Sequence, residues 1–477
     1  MEFTNALSIA TPELIVVIGA MVLLLVGAYG GDKARPAISL LSGLVLIGAA
    51  VASATGPLGQ AFMGAFVNDS LAVFAKVAIY LASAVAILLG HGWMIRNNQA
   101  RFEYPILILL AAAGMSMMAS AGDLISLYVG IELQSLALYV LAAFNRDDAK
   151  GSEAGLKYFV LGALSSGLLL YGASLIYGFA GSMAFDDIAA AAAGAHGTSL
   201  IFGLVFLLCG LAFKISAAPF HMWTPDVYEG APTPAVAFFA AAPKLAALVL
   251  IARTLGEGFH VIEDQWRQVI LALAVLSFCV GAFGGLMQKN IQRLLAYSSI
   301  ANMGYALLAI AAGTTVGVKA MLVFMVLYMV DVTGFFACLL ALSRGRRPIT
   351  QISDLAGLKQ DRPGTAIVLT MLSLSVLGMP PFAGFWAKVY VFGAAIQGGL
   401  WIFAALGLAA SVVAAFYYLR LIKLMWFDPS PGLTDPAPRD AQWVAYAAAA
   451  FSFPLVLFAL GWLDGFAGTA ARALGLG

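Results

Sequence analysis

The chain has 477 residues, 62% hydrophobic and only 10% charged, with a formal net charge of +1. A soluble domain carries roughly 25% charged residues, so a water-soluble fold is excluded. With no basic tail there is no electrostatic footprint for nucleic acid.

The N-terminal MEFTNALSIATPEL lacks the basic segment of a cleavable signal peptide, so the first apolar run is expected to remain as a true span. Apolar runs of about twenty residues, the length that crosses a hydrocarbon core, follow one another along the whole chain. They read as spans at 12–31, 36–56, 69–91, 104–121, 123–144, 154–180, 199–220 and 233–255, then 266–287, 291–313, 317–342, 365–397, 399–427 and 441–467. The expected fold is all-α, a polytopic membrane protein of about 14 transmembrane helices, with no extramembrane domain. Cys209, Cys279 and Cys338 each stand alone in an apolar run, and His91, His196, His221 and His260 are scattered. Cysteine-ligated metals and disulfides need grouped residues, so no cofactor or metal is expected in this chain.

Basic residues set the orientation. Loops after odd-numbered spans hold Lys33, Arg35, Arg96, Arg101, Arg146, Lys150, Lys289, Arg293, Arg344, Arg346, Arg347, Lys359, Arg362, Arg420, Lys423 and Arg439. The opposite side holds only Arg253, Arg267, Lys319 and Arg472. This asymmetry puts the odd-numbered loops in the cytoplasm and both termini in the periplasm. The remaining five basic residues, Lys76, Lys157, Lys214, Lys244 and Lys388, fall within predicted spans.

The chain repeats itself weakly. Ala218-Pro219-Phe220-His221-Met222-Trp223-Thr224-Pro225-Asp226-Val227-Tyr228 aligns with Pro380-Pro381-Phe382-Ala383-Gly384-Phe385-Trp386-Ala387-Lys388-Val389-Tyr390 at an offset of 162 residues, with Pro, Phe, Val and Tyr in common. Proline inside an apolar run breaks a helix, and paired interrupted spans are a mark of transport repeats. The breaks lie in spans seven and twelve. Five spans is an odd separation, so the two five-helix repeats, spans four to eight and nine to thirteen, are inverted. The expected units are an N-terminal three-helix segment (1–103), a first repeat (104–257), a second repeat (258–428) and a last span (429–477).

A charged side chain at mid-bilayer costs on the order of 3 kcal/mol even on lenient scales, so the intramembrane charges are the candidate functional residues. Lys244 sits at the centre of its span, out of reach of either interface. Lys214 precedes the span-seven break, where unwound backbone and water can hold an ammonium, with helix-end snorkelling as the alternative. Lys388 follows the break in span twelve. Glu132, mid-span, needs a partner from another helix, and Lys214 is the candidate; a protonated acid hydrogen-bonded within the bundle is the alternative. Lys157 and Lys76 lie nearer span ends, where snorkelling is the default. Asp331 is either a partner or a relay group, Asp123 reads as a helix N-cap, and His221 lies in the break as a bridge or a plain loop residue. A carboxylate that approaches or leaves a buried lysine shifts its proton affinity, so such a set suits proton transfer without a cofactor.

The segment from Lys214 to Pro234, KISAAPFHMWTPDVYEGAPTP, resembles the seventh-span signature of the antiporter-like subunits of complex I, relatives of the multisubunit Mrp cation/proton antiporters. Three sister branches share it. VAFFAAAPK, ending at Lys244, resembles the N branch rather than L or M; a lysine at 388 fits N and L but not M, and no long lateral helix as in L follows. The likeness extends through QKNIQRLLAYSS at 288–299 and GMPPF at 378–382. The resemblance implies a bacterial inner-membrane subunit of NADH:quinone oxidoreductase in which Glu132 and Lys214 couple, Lys244 is central and Lys388 leads to the periplasm. It also implies sister membrane-arm subunits as partners, with NADH and quinone handled by other subunits. The alternative is a subunit of an Mrp-type antiporter or a membrane-bound hydrogenase.

Overall fold

The computed structural model describes residues 2–194, 198–345, 347–432, 434–435 and 438–476. His196 and Arg346, two of the residues named above, lie outside the described residues. Helices α1 (Glu2–Ile9), α2 (Thr11–Gly30), α3 (Arg35–Thr55), α4 (Ser70–Arg96) and α5 (Glu103–Ala119) lead into α6 (Leu124–Ala142), α7 (Ala149–Ala180), the short α8 (Phe185–Gly194) and α9 (Thr198–Lys214). Next come α10 (Trp223–Gly230), α11 (Thr233–Ala240), α12 (Ala242–Arg253), α13 (Glu263–Leu286), α14 (Ile291–Ala311) and α15 (Thr315–Ala341). The chain closes with α16 (Leu358–Asp361), α17 (Pro363–Leu377), α18 (Ala383–Gln397), α19 (Trp401–Phe427), α20 (Arg439–Ala450) and α21 (Val456–Arg472). Among the described residues, eleven helical stretches are long and apolar enough to cross a membrane, and three more, within α5, α9 and α17, are apolar but shorter.

Helix starts follow local chemistry. The side chains of Asp69, Asp123, Asp148, Asn290 and Thr314 each accept a backbone N–H of the first turn of α4, α6, α7, α14 and α15, satisfying donors that the helix itself leaves free. Asp123 is thus the N-cap its position suggested. Packing within the bundle relies on small residues, as membrane helices do. Gly172 of α7 meets Gly203 of α9 so closely that a Cβ on Gly172 would lie 2.6 Å from the Gly203 carbonyl oxygen.

The two breaks are where the sequence placed them. Helix α9 stops at Lys214 and helix resumes at Trp223; α17 stops at Leu377 and α18 starts at Ala383. Ser216 (φ 63°) and Gly378 (φ 94°) both adopt the left-handed conformation, and they stand 162 residues apart, the offset of the repeat. A residue of that hand ends a helix by turning its backbone away from the axis.

Three features were not expected. The eighth span is not continuous: Ala241 (φ −111°, ψ −95°) separates α11 from α12, immediately before Lys244. The last span bends at Phe453 (φ −164°, ψ 130°), one residue before Pro454. Two small antiparallel hairpins, Gly59–Ala61 with Phe66–Asn68 and Ser343–Arg344 with Arg347–Pro348, occupy loops.

Candidate functional site

Lys244 stands in the first turn of α12, just past the Ala241 break, and is 1% exposed. Its Nζ donates to Ser299 Oγ of α14, which also accepts from the Tyr328 hydroxyl of α15 at 2.8 Å. The Tyr228 ring lies 5.7 Å from the ammonium. No carboxylate ion-pairs with Lys244 among the described residues. A serine hydroxyl accepts from an ammonium and can turn to donate to a neutral amine, so this partner tolerates both protonation states. The helix that carries Lys244 is buried on every side, which is why the lysine cannot snorkel.

Lys214, 6% exposed, closes the last turn of α9. Its Nζ donates to Ser135 Oγ at 2.8 Å and lies 3.5 Å from the Tyr139 hydroxyl, both on α6. Glu132, one turn earlier on α6, accepts from Ser166 Oγ of α7. The expected Glu132–Lys214 pair is therefore not a direct ion pair: Ser135 takes the ammonium, and Ser166 takes the Glu132 carboxylate. The reason is rotational. Glu132 sits at the half-buried edge of α6, in line with exposed Val129 and Leu136, whereas Ser135 and Tyr139 face inward.

Lys388 lies on α18. Its Nζ reaches back across the break to the Leu377 carbonyl at 2.7 Å and donates to Ser411 Oγ at 2.6 Å, with the Tyr305 ring 5.3 Å away. Asp331 of α15 is buried. It accepts from Ser375 Oγ at 2.5 Å, and the same Ser375 oxygen receives Gly384 N–H at 2.9 Å and Ser452 Oγ at 2.9 Å. Asp331 thus braces the second break, and no cation pairs with it among the described residues. His221 lies half-buried in the first break; among the described residues its Nδ1 has no hydrogen-bond partner, and no hydrogen bond joins it to a lysine.

Two lysines differ from the set. Lys157, 40% exposed, pairs with Glu153 and Asp226, each at 2.7 Å. It belongs to a cluster at the start of α7 in which Arg293 of α14 donates to both Asp226 and Glu229 of α10, and Lys150 donates to Glu229. Burial pushes the Asp226 and Glu229 carboxyls up, but the hydrogen bonds from Lys157 and Arg293, and from Lys150 and Arg293, hold each below its ordinary range. This is a tie between the repeats, and sequence reasoning missed its acids because both stand among loop-like prolines and glycines. Lys76 overturns the snorkelling expectation: it is 0% exposed and pairs with Glu13 of α2 at 2.8 Å. Arg253, expected in a loop, is also 0% exposed and pairs with Asp69 at 2.7 Å and Glu257 at 2.5 Å. In both cases the partner acid is remote in sequence or hidden by the helix it caps.

Buried Lys214 and Lys244, half-buried Lys388 and buried Asp331 therefore stand at or against helix interruptions, each served by hydroxyl or carbonyl groups. No hydrogen bond among the described residues joins Lys214 directly to Lys244, or Lys244 to Lys388. Residues 121–414, which contain all of them, match the model of the NADH:quinone oxidoreductase/Mrp antiporter transmembrane family. The chain belongs to that family. It is 65% identical to NADH-quinone oxidoreductase subunit N of Caulobacter sp. (strain K31) over 390 residues, covering 80% of this chain and 81% of the relative. Its fold superposes on a chain of respiratory complex I from Thermus thermophilus with a TM-score of 0.81 and 33% identity, covering 96% and 99% of the two chains. A chain of the Mrp complex from Dietzia sp. matches with a TM-score of 0.85 at 22% identity over 98% and 97%, a likeness of fold alone. The family member described here is a multi-pass antiporter-like membrane subunit of the complex I type, and its relatives place it in the N branch.

Proposed function

We propose that this subunit moves protons across the bacterial inner membrane through Glu132, Lys214, Lys244, Asp331 and Lys388, driven by quinone reduction elsewhere in its complex. The observation that carries this reading is Lys244: buried, at a helix break, with the Ser299 hydroxyl rather than a carboxylate as its hydrogen-bond partner. A purely structural cation at that depth is expected to have a carboxylate; a proton carrier needs partners that accept either state. Glu132, at the half-exposed edge of α6, is placed for regulation by a neighbour, since its distance from Lys214 sets the lysine's proton affinity.

Sister membrane-arm subunits are the natural partners. Met379, Pro380 and Pro381 in the second break are exposed, and non-helical backbone at membrane depth is tolerated only where protein covers it. NADH and quinone are handled by other subunits in this reading, and this chain holds no cofactor. In this reading both termini face the periplasm, which the basic-residue asymmetry supports.

The test is to purify the tagged chain gently with whatever accompanies it, reconstitute the material, and measure NADH-driven proton pumping. Lys244→Ala and Lys214→Ala are expected to leave the complex assembled and to remove pumping. Unchanged pumping in both contradicts the relay; a chain that purifies without NADH-dependent quinone reduction points to an ion-gradient-driven antiporter instead.

A further inference from the structure

The second break and the bend of the last span meet at one serine. Ser375, in the last turn of α17, is fully buried. Its hydroxyl donates to Asp331 Oδ2 at 2.5 Å. It accepts the Gly384 N–H of α18 at 2.9 Å and the Ser452 hydroxyl of the last span at 2.9 Å. A hydroxyl has one hydrogen to donate and two lone pairs that accept, so its whole capacity is in use. The Gly384 N–H belongs to the first turn of α18, where the N-cap residue Phe382 makes no side-chain cap. A donor that the helix start leaves free is thus satisfied from another helix. The two ends are pressed together there, because a Cβ on Gly384 would collide with the Ser375 carbonyl oxygen. Ser452 stands just before the Phe453 bend, and the Phe453 ring packs edge-on against Phe382 with centroids 5.8 Å apart.

This arrangement closes only while Asp331 is ionised. A carboxylate accepts only, whereas a protonated one carries a donor. With the proton on Oδ2, the donors of Asp331, Gly384 and Ser452 compete for the two lone pairs of Ser375, and one must give way. With the proton on Oδ1, buried and without a hydrogen-bond partner among the described residues, the charge that strengthens the Ser375 bond is lost. No other charge takes its place. On the helices packed against α15, Lys76 pairs with Glu13, Lys244 is held by Ser299, Lys388 by Leu377 and Ser411, and Asp464 by Lys319. The remaining charged residues of those helices stand in first or last turns. Gly384 is the donor that gives way most cheaply. It is half-buried beside the exposed Met379, Pro380 and Pro381, whereas Ser452 is fully buried and would be left unpaired.

Lys388 shares a face of α18 with Gly384, four residues on. Its ammonium reaches the Leu377 carbonyl, two residues past Ser375. Two hydrogen bonds from that face therefore clasp α18 to the end of α17, Gly384 to Ser375 and Lys388 to Leu377. We propose that Ser375 is a positioning residue that makes the second break, and with it Lys388, answer to the charge of Asp331. While Asp331 is ionised, Ser375 holds the start of α18 and Lys388 stays on the Leu377 carbonyl. Protonation of Asp331 frees the Gly384 N–H, the start of α18 parts from α17, and Lys388 leaves that carbonyl. The only bond formed is the Asp331 O–H, and passage of that proton onward along the relay restores the clasp. The inference rests on Asp331 and Lys388 both belonging to the relay, and it adds an order to them: Asp331 is neutralised before Lys388 moves.

Ser375→Ala removes the clasp without touching a charge. The readout is protons pumped per NADH oxidised by the complex in sealed vesicles, a ratio that does not depend on how much complex assembles. Lys388→Ala runs alongside as the reference. Ser375→Ala is expected to lose at least half of what Lys388→Ala loses, while NADH oxidation per complex continues. A serine that only ties helices together would lower the yield of complex and leave the ratio unchanged. That result, or a smaller loss, overturns the proposal. Should Ser375→Ala fail to assemble, Ser452→Ala decides on the same scale. It leaves Ser375 a spare lone pair that a protonated Asp331 takes, so the Gly384 bond survives, Lys388 is not released and the ratio falls. A wild-type ratio in Ser452→Ala then overturns the proposal. If Lys388→Ala itself keeps the wild-type ratio, the relay has failed; if only the serine variant keeps it, the clasp alone has failed.

Discussion

The two broken helices make the same turn with their charges differently placed. Each first half-helix ends at a left-handed residue, Ser216 or Gly378, and each break has a proline at the same register, Pro219 or Pro381. The ammonium groups differ in what they meet: Lys214 reaches the Ser135 and Tyr139 hydroxyls of α6, whereas Lys388 reaches a carbonyl at the C-terminal end of a half-helix, where free carbonyls and the helix dipole favour a cation. Lys214 belongs to the helix whose end it occupies, whereas Lys388 belongs to the following helix and reaches back to the Leu377 carbonyl. In register, Lys388 corresponds to Asp226, which has become part of an ion cluster at the surface. The repeat thus supplies a backbone device, and each copy then acquires its own titratable group. The first break begins in buried chain; the second is exposed at Met379, Pro380 and Pro381, which suits a junction with another subunit.

The comparison can be broken at the charges first. Lys214→Arg and Lys388→Arg keep a cation at each helix end but deny it a releasable proton. Pumping by the assembled complex should fall roughly 100-fold in either variant, the scale of a lost acid–base group. Next, the left-handed residues are not equivalent. A Cβ at Gly378 would meet Lys388 Cδ at 2.9 Å, so Gly378→Ser should lower both pumping and assembly, measured as complex recovered from membranes. Ser216→Gly should be neutral or stabilising by about 1 kcal/mol, because glycine adopts that conformation without penalty.

Smaller effects sharpen the difference in partners. Ser135→Ala leaves Lys214 only the long contact with Tyr139, whereas Ser411→Ala leaves Lys388 the Leu377 carbonyl. A hydrogen bond is worth about 1 kcal/mol, so Ser135→Ala should slow pumping about fivefold and Ser411→Ala less. The smallest effect is expected at the exposed cluster. Lys157→Ala should lower the thermal unfolding temperature only slightly, as loss of surface pairs does. The Asp226 and Glu229 carboxyls are held below their ordinary range, so their contribution is complete above that range and fades as pH falls through the depressed values. Acid scans of thermal stability should show that loss in wild type and a weaker one in Lys157→Ala.

Much of the fold was legible in the sequence because membrane constraints are severe. Long apolar runs, prolines within them and lysines far from any interface arise from few physical causes, and they located the two breaks and the three central lysines. Pairings were harder. Lys76 looked like a snorkelling residue because Glu13 is 63 positions away, and proximity across helices leaves no periodic trace. Glu132 was assigned to Lys214 by charge, but the side of α6 it faces depends on packing, and Ser135 holds the inward position. The break before Lys244 was written in Pro243, a residue that reads equally well as the first turn of a new helix or as a kink.

The central claim is that Lys244 carries a proton and is not a fixed charge. The most direct test is Lys244→Arg in the assembled complex, reconstituted into sealed vesicles, with NADH-driven proton pumping measured per complex. The account predicts that pumping is lost although the positive charge remains. Pumping at the wild-type rate would contradict it and leave Lys244 as an electrostatic fixture.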